Sequence, residues 1–406
     1  MPLLRIAGGA LFDGTHDPIE GGAVLVDGDR IVAAGPSRAV PCPEDARTID
    51  LGDAAILPGL IDAHVHFQGH RPGDPDWPDT PLLAMRAIAD AAAVLRSGFT
   101  TVRDCGSAYG IALRTAIEDG DALGPRVLAA GPVLSQTGGH GDWHELPHEL
   151  LQHLEAERLV VDGVEACRAA VRRVVRAGAD LVKVCTTGGV GSRRDHMLDE
   201  HFTVPEIEAI VDEAHRLGRR VAAHAQGSRG VHNAVRAGVD SIEHGYFLDD
   251  EGIRAMLDHG TALVPTFGLI RSFRSSLADA GDLPAWRVEK QRQCIEAMER
   301  SFPAAVAAGI PIATGSDTYG IRGRELGTGA TELVAMAVDG HVPALEVLRF
   351  ATAGGARVLG LEGVAGTLAA GASADVLAVR GRPWQSIEAV RHVAFVMARG
   401  RVVVGP

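Results

Sequence analysis

Two histidines one residue apart, His64 and His66, are the first residues in this chain whose types and spacing suggest chemistry. They close the stretch Pro58-Gly-Leu-Ile-Asp-Ala-His-Val-His-Phe67. Pro58-Gly59 reads as a turn, and the apolar run that follows reads as a buried strand. Side chains two apart on a strand point to the same side, so both imidazoles leave one face at its carboxyl end. Neutral imidazole is the commonest protein ligand for zinc and similar ions. By itself, His-x-His is more often a pair of ordinary polar residues at a strand end.

A compositional bias adds to this. The only lysines are Lys183 and Lys290, so 39 − 2 = 37 of the basic residues are arginine. Lys183 sits in the apolar stretch Asp180-Leu-Val-Lys-Val-Cys185. Arginine stays charged, whereas a buried lysine can lose its proton and become a nucleophilic amine. Such an amine can add carbon dioxide to give a carbamate, an anionic oxygen ligand. The alternative is a buried ion pair.

The elements that must position these groups alternate. Apolar strands are expected at Leu60–His66, Thr100–Asp104, Arg126–Gly131, Leu181–Thr186, Arg220–His224, Ser241–His244, Ala262–Thr266 and Pro311–Gly315. Amphipathic helices lie between them, among them Pro81–Ser97, Val164–Ala177, Pro205–Leu217, Ser228–Ala237 and Pro284–Ala308. Eight strands with helical crossovers match a (β/α)8 TIM-like barrel, which carries its chemistry at the strands' carboxyl ends. Polar residues do cluster there. Besides His64, His66 and Lys183, the fifth strand ends in His224, the sixth in His244 and the eighth in Asp317.

The ends of the chain differ from this middle. Gly22–Gly35 holds two apolar runs around Asp27-Gly28-Asp29, a hairpin signal. Ala374–Val379, Val393–Met397 and Arg401–Val404 read as strands. Both ends are therefore expected to build one small β-sandwich: residues 1–57 and 361–406 form the sandwich and residues 58–360 the barrel. The 406-residue length suits that division. A net charge of −13 disfavours nucleic acid and anionic membrane surfaces as partners. Five scattered cysteines without a Cys-x-x-Cys suggest a reducing compartment. With no basic-then-apolar leader and no membrane-length apolar run, the expectation is a cytoplasmic protein.

At this point the chain resembles the amidohydrolase superfamily of metal-dependent hydrolases. The resemblance rests on Pro-Gly-Leu-Ile-Asp-Ala-His64-Val-His66, Val-Lys183-Val, Ala-His224-Ala, Ile-Glu-His244-Gly, Gly-Ser-Asp317 and the C-terminal Gly366-Thr-Leu-Ala-Ala-Gly-Ala-Ser-Ala-Asp375. The phrasing Gln136-Thr-Gly-Gly-His140-Gly-Asp142 is most similar to the Xaa-Pro dipeptidase and carboxypeptidase-like branch. The resemblance implies that His64, His66 and Asp317 hold one divalent metal and His224 and His244 a second, with carboxylated Lys183 bridging them. Zinc suits that donor set, and manganese or cobalt also fit. The loop Gly191-Ser-Arg-Arg-Asp-His196 departs from the commoner uncharged version, which bears on substrate rather than chemistry.

The reaction expected of such a site is hydrolysis of a small-molecule amide, a peptide or N-acyl amino acid. The nucleophile is a metal-bridging hydroxide formed near neutral pH. Asp317 takes its proton and passes it to the leaving amine. His140 is either a hydrogen-bond donor to the developing oxyanion or a loop-ordering residue. Tyr246, Tyr319 and Arg193 are candidate substrate contacts, with Arg194, Arg271 and Arg322 as weaker ones. His196 and His201 read as solvated loop residues. His140, His144 and His148 belong to a loop over the mouth, since the glycines and Pro147 oppose a helix there. Carbamate, urea or xenobiotic amide hydrolysis is the next reading. A cyclic-amidine deaminase or an imidazolonepropionase-like enzyme follows; a deaminase would use a Glu where this chain has Gln226. A non-catalytic metal-binding barrel is the remaining class. Self-association into a homo-oligomer is expected.

Overall fold

The computed structural model describes residues 3–71, 80–144, 158–278, 283–318 and 329–406. The N-terminal strands are β1 (Leu4–Leu11), β2 (Ile19–Asp27), β3 (Arg30–Pro36), β4 (Arg47–Asp50) and β5 (Ala55–Pro58). The expected hairpin is β2–β3, closed at the Asp27↔Arg30 pair. The barrel strands are β6 (Leu60–Val65), β7 (Phe99–Asp104), β8 (Arg126–Ala129), β9 (Val133–Ser135), β10 (Arg158–Val160), β11 (Leu181–Cys185), β12 (Arg220–Ala225), β13 (Ser241–His244) and β14 (Ala262–Val264). The chain ends in β15 (Val376–Val379), β16 (Val393–Ala398) and β17 (Arg401–Val404).

The barrel strands run parallel in two arcs, β6-β7-β8 and β10-β9-β11-β12-β13-β14. On one side the arcs meet where the Asp180 amide donates to the Ala129 carbonyl at 2.8 Å. On the other they meet through residues 311–318. There the Leu263 amide donates to Pro311 O (2.8 Å), the Ala63 amide to Thr314 O (2.8 Å) and the Asp317 amide to His64 O (2.7 Å). This segment was expected as a regular eighth strand, and it forms only isolated bridges, Leu263↔Ile312 and Val65↔Thr318. The reason is local. The Ser316 amide is taken by the Asp62 carboxylate at 2.9 Å, and Asp317 has a left-handed backbone with φ of 48°. Both features break the ladder where it enters the site.

The helices fall within a few residues of their expected positions: Thr80–Arg96, Val164–Arg176, Val204–Arg216, Ser228–Ala237 and Ala285–Ala308. Val204–Arg216 starts on a capping box, in which Thr203 and Glu206 satisfy each other's backbone amides. Its residues Ile207, Ile210, Val211 and Ala214 are buried in the main core, as a helical apolar stripe facing a sheet requires. Among the described residues no helix is long and apolar enough to cross a membrane.

The terminal unit draws its strands from both ends of the chain, as expected. It is one hydrogen-bonded sheet of order β17-β16-β15-β5-β1-β2-β3, with β4 beside β1. The sheet curls over a core that includes Ile6, Val24, Ile31, Ile56, Val376, Phe395 and Met397. Its far strand β3 is tied to the approach to β15, since the Ile31 amide donates to Ala372 O and the Ala374 amide to Asp29 O. β5 pairs antiparallel with β15 and then runs, through Gly59, into β6. The strand that carries His64 is thus anchored by both ends of the chain.

Candidate active site

Four imidazoles converge at the carboxyl ends of the barrel strands. Ring centroids lie 5.2 Å apart for His64 and His66, 5.2 Å for His64 and His244, and 4.6 Å for His224 and His244. Asp317 Oδ1 lies 3.2 Å from His66 Nε2 and 3.5 Å from His64 Nε2. One donor atom each of His64, His244 and Asp317 falls within 4.8 Å of the others, close enough for one metal ion. Strand alternation does not by itself aim His244 and Asp317 here. Both have positive φ, 73° and 48°. Left-handed backbone is unusual for residues with a side chain, and it turns these two into the mouth as their strands end.

The rings are held by their other nitrogens. His64 Nδ1 bonds the Glu243 carboxylate at 2.7 Å, His66 Nδ1 the Gly106 carbonyl at 2.7 Å and His244 Nδ1 the Thr266 hydroxyl at 2.8 Å. Partners of this kind fix the ring and tautomer of a metal-binding histidine. Burial, reinforced by the charges of neighbouring groups including Lys183, holds His64, His224 and His244 well below the ordinary histidine range. Burial thus favours the neutral form of these rings, the form that ligation requires.

Lys183 lies among them, 3% exposed, and its Nζ is buried with no hydrogen-bond partner among the described residues. An unpaired ammonium is costly to bury. A buried amine beside four imidazoles and a carboxylate fits a site whose remaining charge comes from bound cations.

Glu243 and Arg103 were not singled out from the sequence. Arg103 is buried and donates to Glu243 Oε1 (2.6 Å), Ser241 Oγ (3.0 Å) and the Ala63 carbonyl (2.6 Å). Beneath the histidines, the barrel interior thus holds an ion pair whose carboxylate also orients His64. The available signal was the Ser241-Ile-Glu243 alternation, which puts two polar groups on the inward face of an apolar strand.

The site opens into a cavity of about 440 Å³. All six proposed ligands line it, together with His140, Tyr246, Cys185 and Gln226. His140 stacks on His224 at 4.3 Å with 17° between the planes. Tyr246 is fully buried, its hydroxyl 3.2 Å from Thr266 Oγ1. Arg193 does not line the cavity and is exposed; the inward positions of its loop go to Ser192 and Asp195. The arginines on the cavity wall are Arg158 and Arg287, and the apolar wall includes Trp143, Val190, Leu269 and Phe273. Arg194 is exposed and Arg271 faces Asp339 at 3.7 Å. His201 is buried, not solvated, and its Nδ1 accepts the His140 amide at 3.3 Å. Tyr319, Arg322 and His148 lie outside the described residues.

Residues 55–403 match the model of the amidohydrolase family. The chain belongs to that family. It is a hydrolase acting on C–N bonds, and the residue groups just described can hold the divalent metal that members of the family generally use. Ochratoxinase of Aspergillus niger is 31% identical over 425 residues, covering 99% of this chain and 86% of that protein. A crystal structure of a Xaa-Pro dipeptidase with bound methionine in its active site superposes with a TM-score of 0.89 at 32% identity, covering 98% of this chain and 99% of that one. A prolidase complexed with N-methylphosphonate-L-proline gives 0.88 at 34% identity, with 98% and 99% covered.

Proposed function

We propose that this chain hydrolyses the amide bond of an N-acyl amino acid or dipeptide at a two-metal centre. Its ligands are His64, His66, His224, His244, Asp317 and Lys183, the last as its carbamate. The observation that carries this reading is the Lys183 amine, buried among four imidazoles in the cavity with no hydrogen-bond partner among the described residues. Addition of carbon dioxide to that amine forms an N–C bond and releases a proton, replacing an unpaired donor by an anionic oxygen pair. When bound, the two divalent cations, most simply zinc, supply Lewis acidity and make water nucleophilic near neutral pH.

The chain's own groups do the rest. Asp317 takes the proton of the attacking water and returns it to the leaving amine as the C–N bond breaks. His140, stacked on His224 at the cavity wall, is placed to meet the bound substrate. Arg158 and Arg287 offer bidentate donors to a substrate carboxylate. Trp143, Val190, Leu269 and Phe273 favour an apolar side chain or acyl group. The name of the Xaa-Pro dipeptidase neighbour supports a peptide-like substrate.

The test is a screen of dipeptides and N-acyl amino acids with metal-replete protein. Turnover of carboxylate-bearing amides with apolar groups supports the proposal. Turnover confined to uncharged carbamates or ureas would replace the substrate class, and no turnover of any amide would remove the reading. Asp317→Asn is expected to lower kcat by about 10²–10⁴-fold with a much smaller change in KM.

A further inference from the structure

Only two lysines occur in the chain, and the site uses one. The other, Lys290, is 6% exposed on helix Ala285–Ala308. Its Nζ donates to the carbonyls of Gly189 (2.9 Å), Ser192 (2.8 Å) and Asp195, and lies 3.2 Å from Asp195 Oδ1. All four acceptors belong to the loop that follows β11. A single buried ammonium therefore ties this loop to the helix.

The tie continues to His140. Asp195 is buried, accepts the Ser192 hydroxyl on Oδ1, and places Oδ2 3.6 Å from His140 Nδ1. Burial pushes its carboxyl up, but hydrogen bonds from His140 and Ser192 and the Lys290 charge outweigh it and leave Asp195 below the usual carboxylate range. Ser192 Oγ is 2.8 Å from His140 Nδ1. A serine hydroxyl has one proton to donate. Its candidate acceptors are the Asp195 carboxylate, in short contact, and the Gly189 carbonyl at 3.5 Å. The nearer, charged acceptor takes it. Ser192 Oγ must then accept from His140, so the ring proton sits on Nδ1 and Nε2 is left for the cavity. The ring has no slack. A Cβ on Gly189 would lie 2.3 Å from His140 Cε1, and the ring is also stacked on His224.

We propose that Lys290 and Asp195, acting through Ser192, form a buried latch that fixes the plane and tautomer of His140 and so presents its unprotonated Nε2 as a hydrogen-bond acceptor to a substrate N–H. Neither lines the cavity, whereas Ser192 and His140 do. Lys290 and Asp195 are thus positioning residues. The latch rests on the reading of His140 as a group that meets substrate.

Nitrogen-15 NMR of histidine-labelled, zinc-loaded protein tests the tautomer without substrate, the His140 signals being assigned by their loss in His140→Ala. The expected result is a proton on Nδ1 in the wild type and a mixture of tautomers in Asp195→Asn and Ser192→Ala. With an amide that the wild type turns over, Asp195→Asn is expected to lower kcat about tenfold to a hundredfold at unchanged zinc content. In the His140→Ala background the same substitution should change kcat by less than about twofold, as for residues acting through one group. Equal losses in both backgrounds, or a wild-type proton on Nε2, would overturn the latch. Ser192→Ala removes the relay without leaving Lys290 unpaired, so the test survives misfolding of the Asp195 variant. If no amide is turned over, the hydrolase reading fails while the NMR result still decides the latch.

Discussion

At the scale of single residues, the site combines four imidazoles and a carboxylate with one buried amine that has no hydrogen-bond partner among the described residues. Lys183→Ala should lose bound metal and turnover together, and added short-chain carboxylic acids should restore part of both. Metal per chain by atomic emission, followed beside kcat, checks this; a Lys183→Arg variant with two metals and normal turnover would refute the carbamate. Glu243 is the residue whose importance only its contacts reveal, because it serves His64 and Arg103 at once. Glu243→Gln should weaken metal affinity about tenfold to a hundredfold. It also leaves the Arg103 charge buried with a weakened partner. Breaking a buried pair costs about 3–5 kcal/mol, and a large drop in denaturation midpoint of the metal-free variant would show it.

At the scale of elements, the strands carry the candidate ligands to one rim and the strand ends aim them. Thr266, whose hydroxyl orients His244, also has positive φ, 48°. It leads directly into helix Phe267–Ala278, and the start of that helix rests on Glu332. Glu332 is fully buried and accepts the Phe267 amide at 3.0 Å and the Gly268 amide. Burial pushes its carboxyl up to about 8, from an ordinary 4.5. For an acid whose folded value is raised, the folded state holds the proton that the unfolded state gives up. Its contribution is therefore complete below about 4.5 and is lost as pH rises through about 8. Melting temperature should fall between pH 6 and pH 9 more steeply in the wild type than in Glu332→Gln. Parallel slopes for the two would show that Glu332 titrates normally.

At the scale of the whole molecule, the terminal sheet and the barrel are one construction. β15 pairs with β5 residue by residue from Val376↔Pro58 to Val379↔Ala55, immediately before the strand that bears His64 and His66. A chain ending at residue 375 loses three strands of the sheet and exposes the core around Ile56. It should be insoluble or unfolded by circular dichroism, and co-expression of residues 376–406 should recover soluble protein. A folded, metal-binding truncation would show that the barrel stands without this anchor.

Much of this was legible because period and composition are local properties. The apolar runs ended in His64, His66, Lys183, His224, His244 and Asp317, and a parallel barrel leaves such ends on one rim, so the fold class and the convergence of these six residues on one cavity were legible in the order of residues. The β-rich character of both ends was equally plain. What only the tertiary structure decided depends on contacts between distant segments, which no local pattern records. The two ends form one sheet because β15 pairs with β5, and it curls because β3 meets the approach to β15; both are contacts across more than three hundred residues. The eighth strand breaks because Asp62 takes an amide that the ladder would have used. Arg193 faces outward because Lys290, a hundred residues away, draws the carbonyls of its loop inward. Sequence determines which groups are available; the folded chain determines which of them meet.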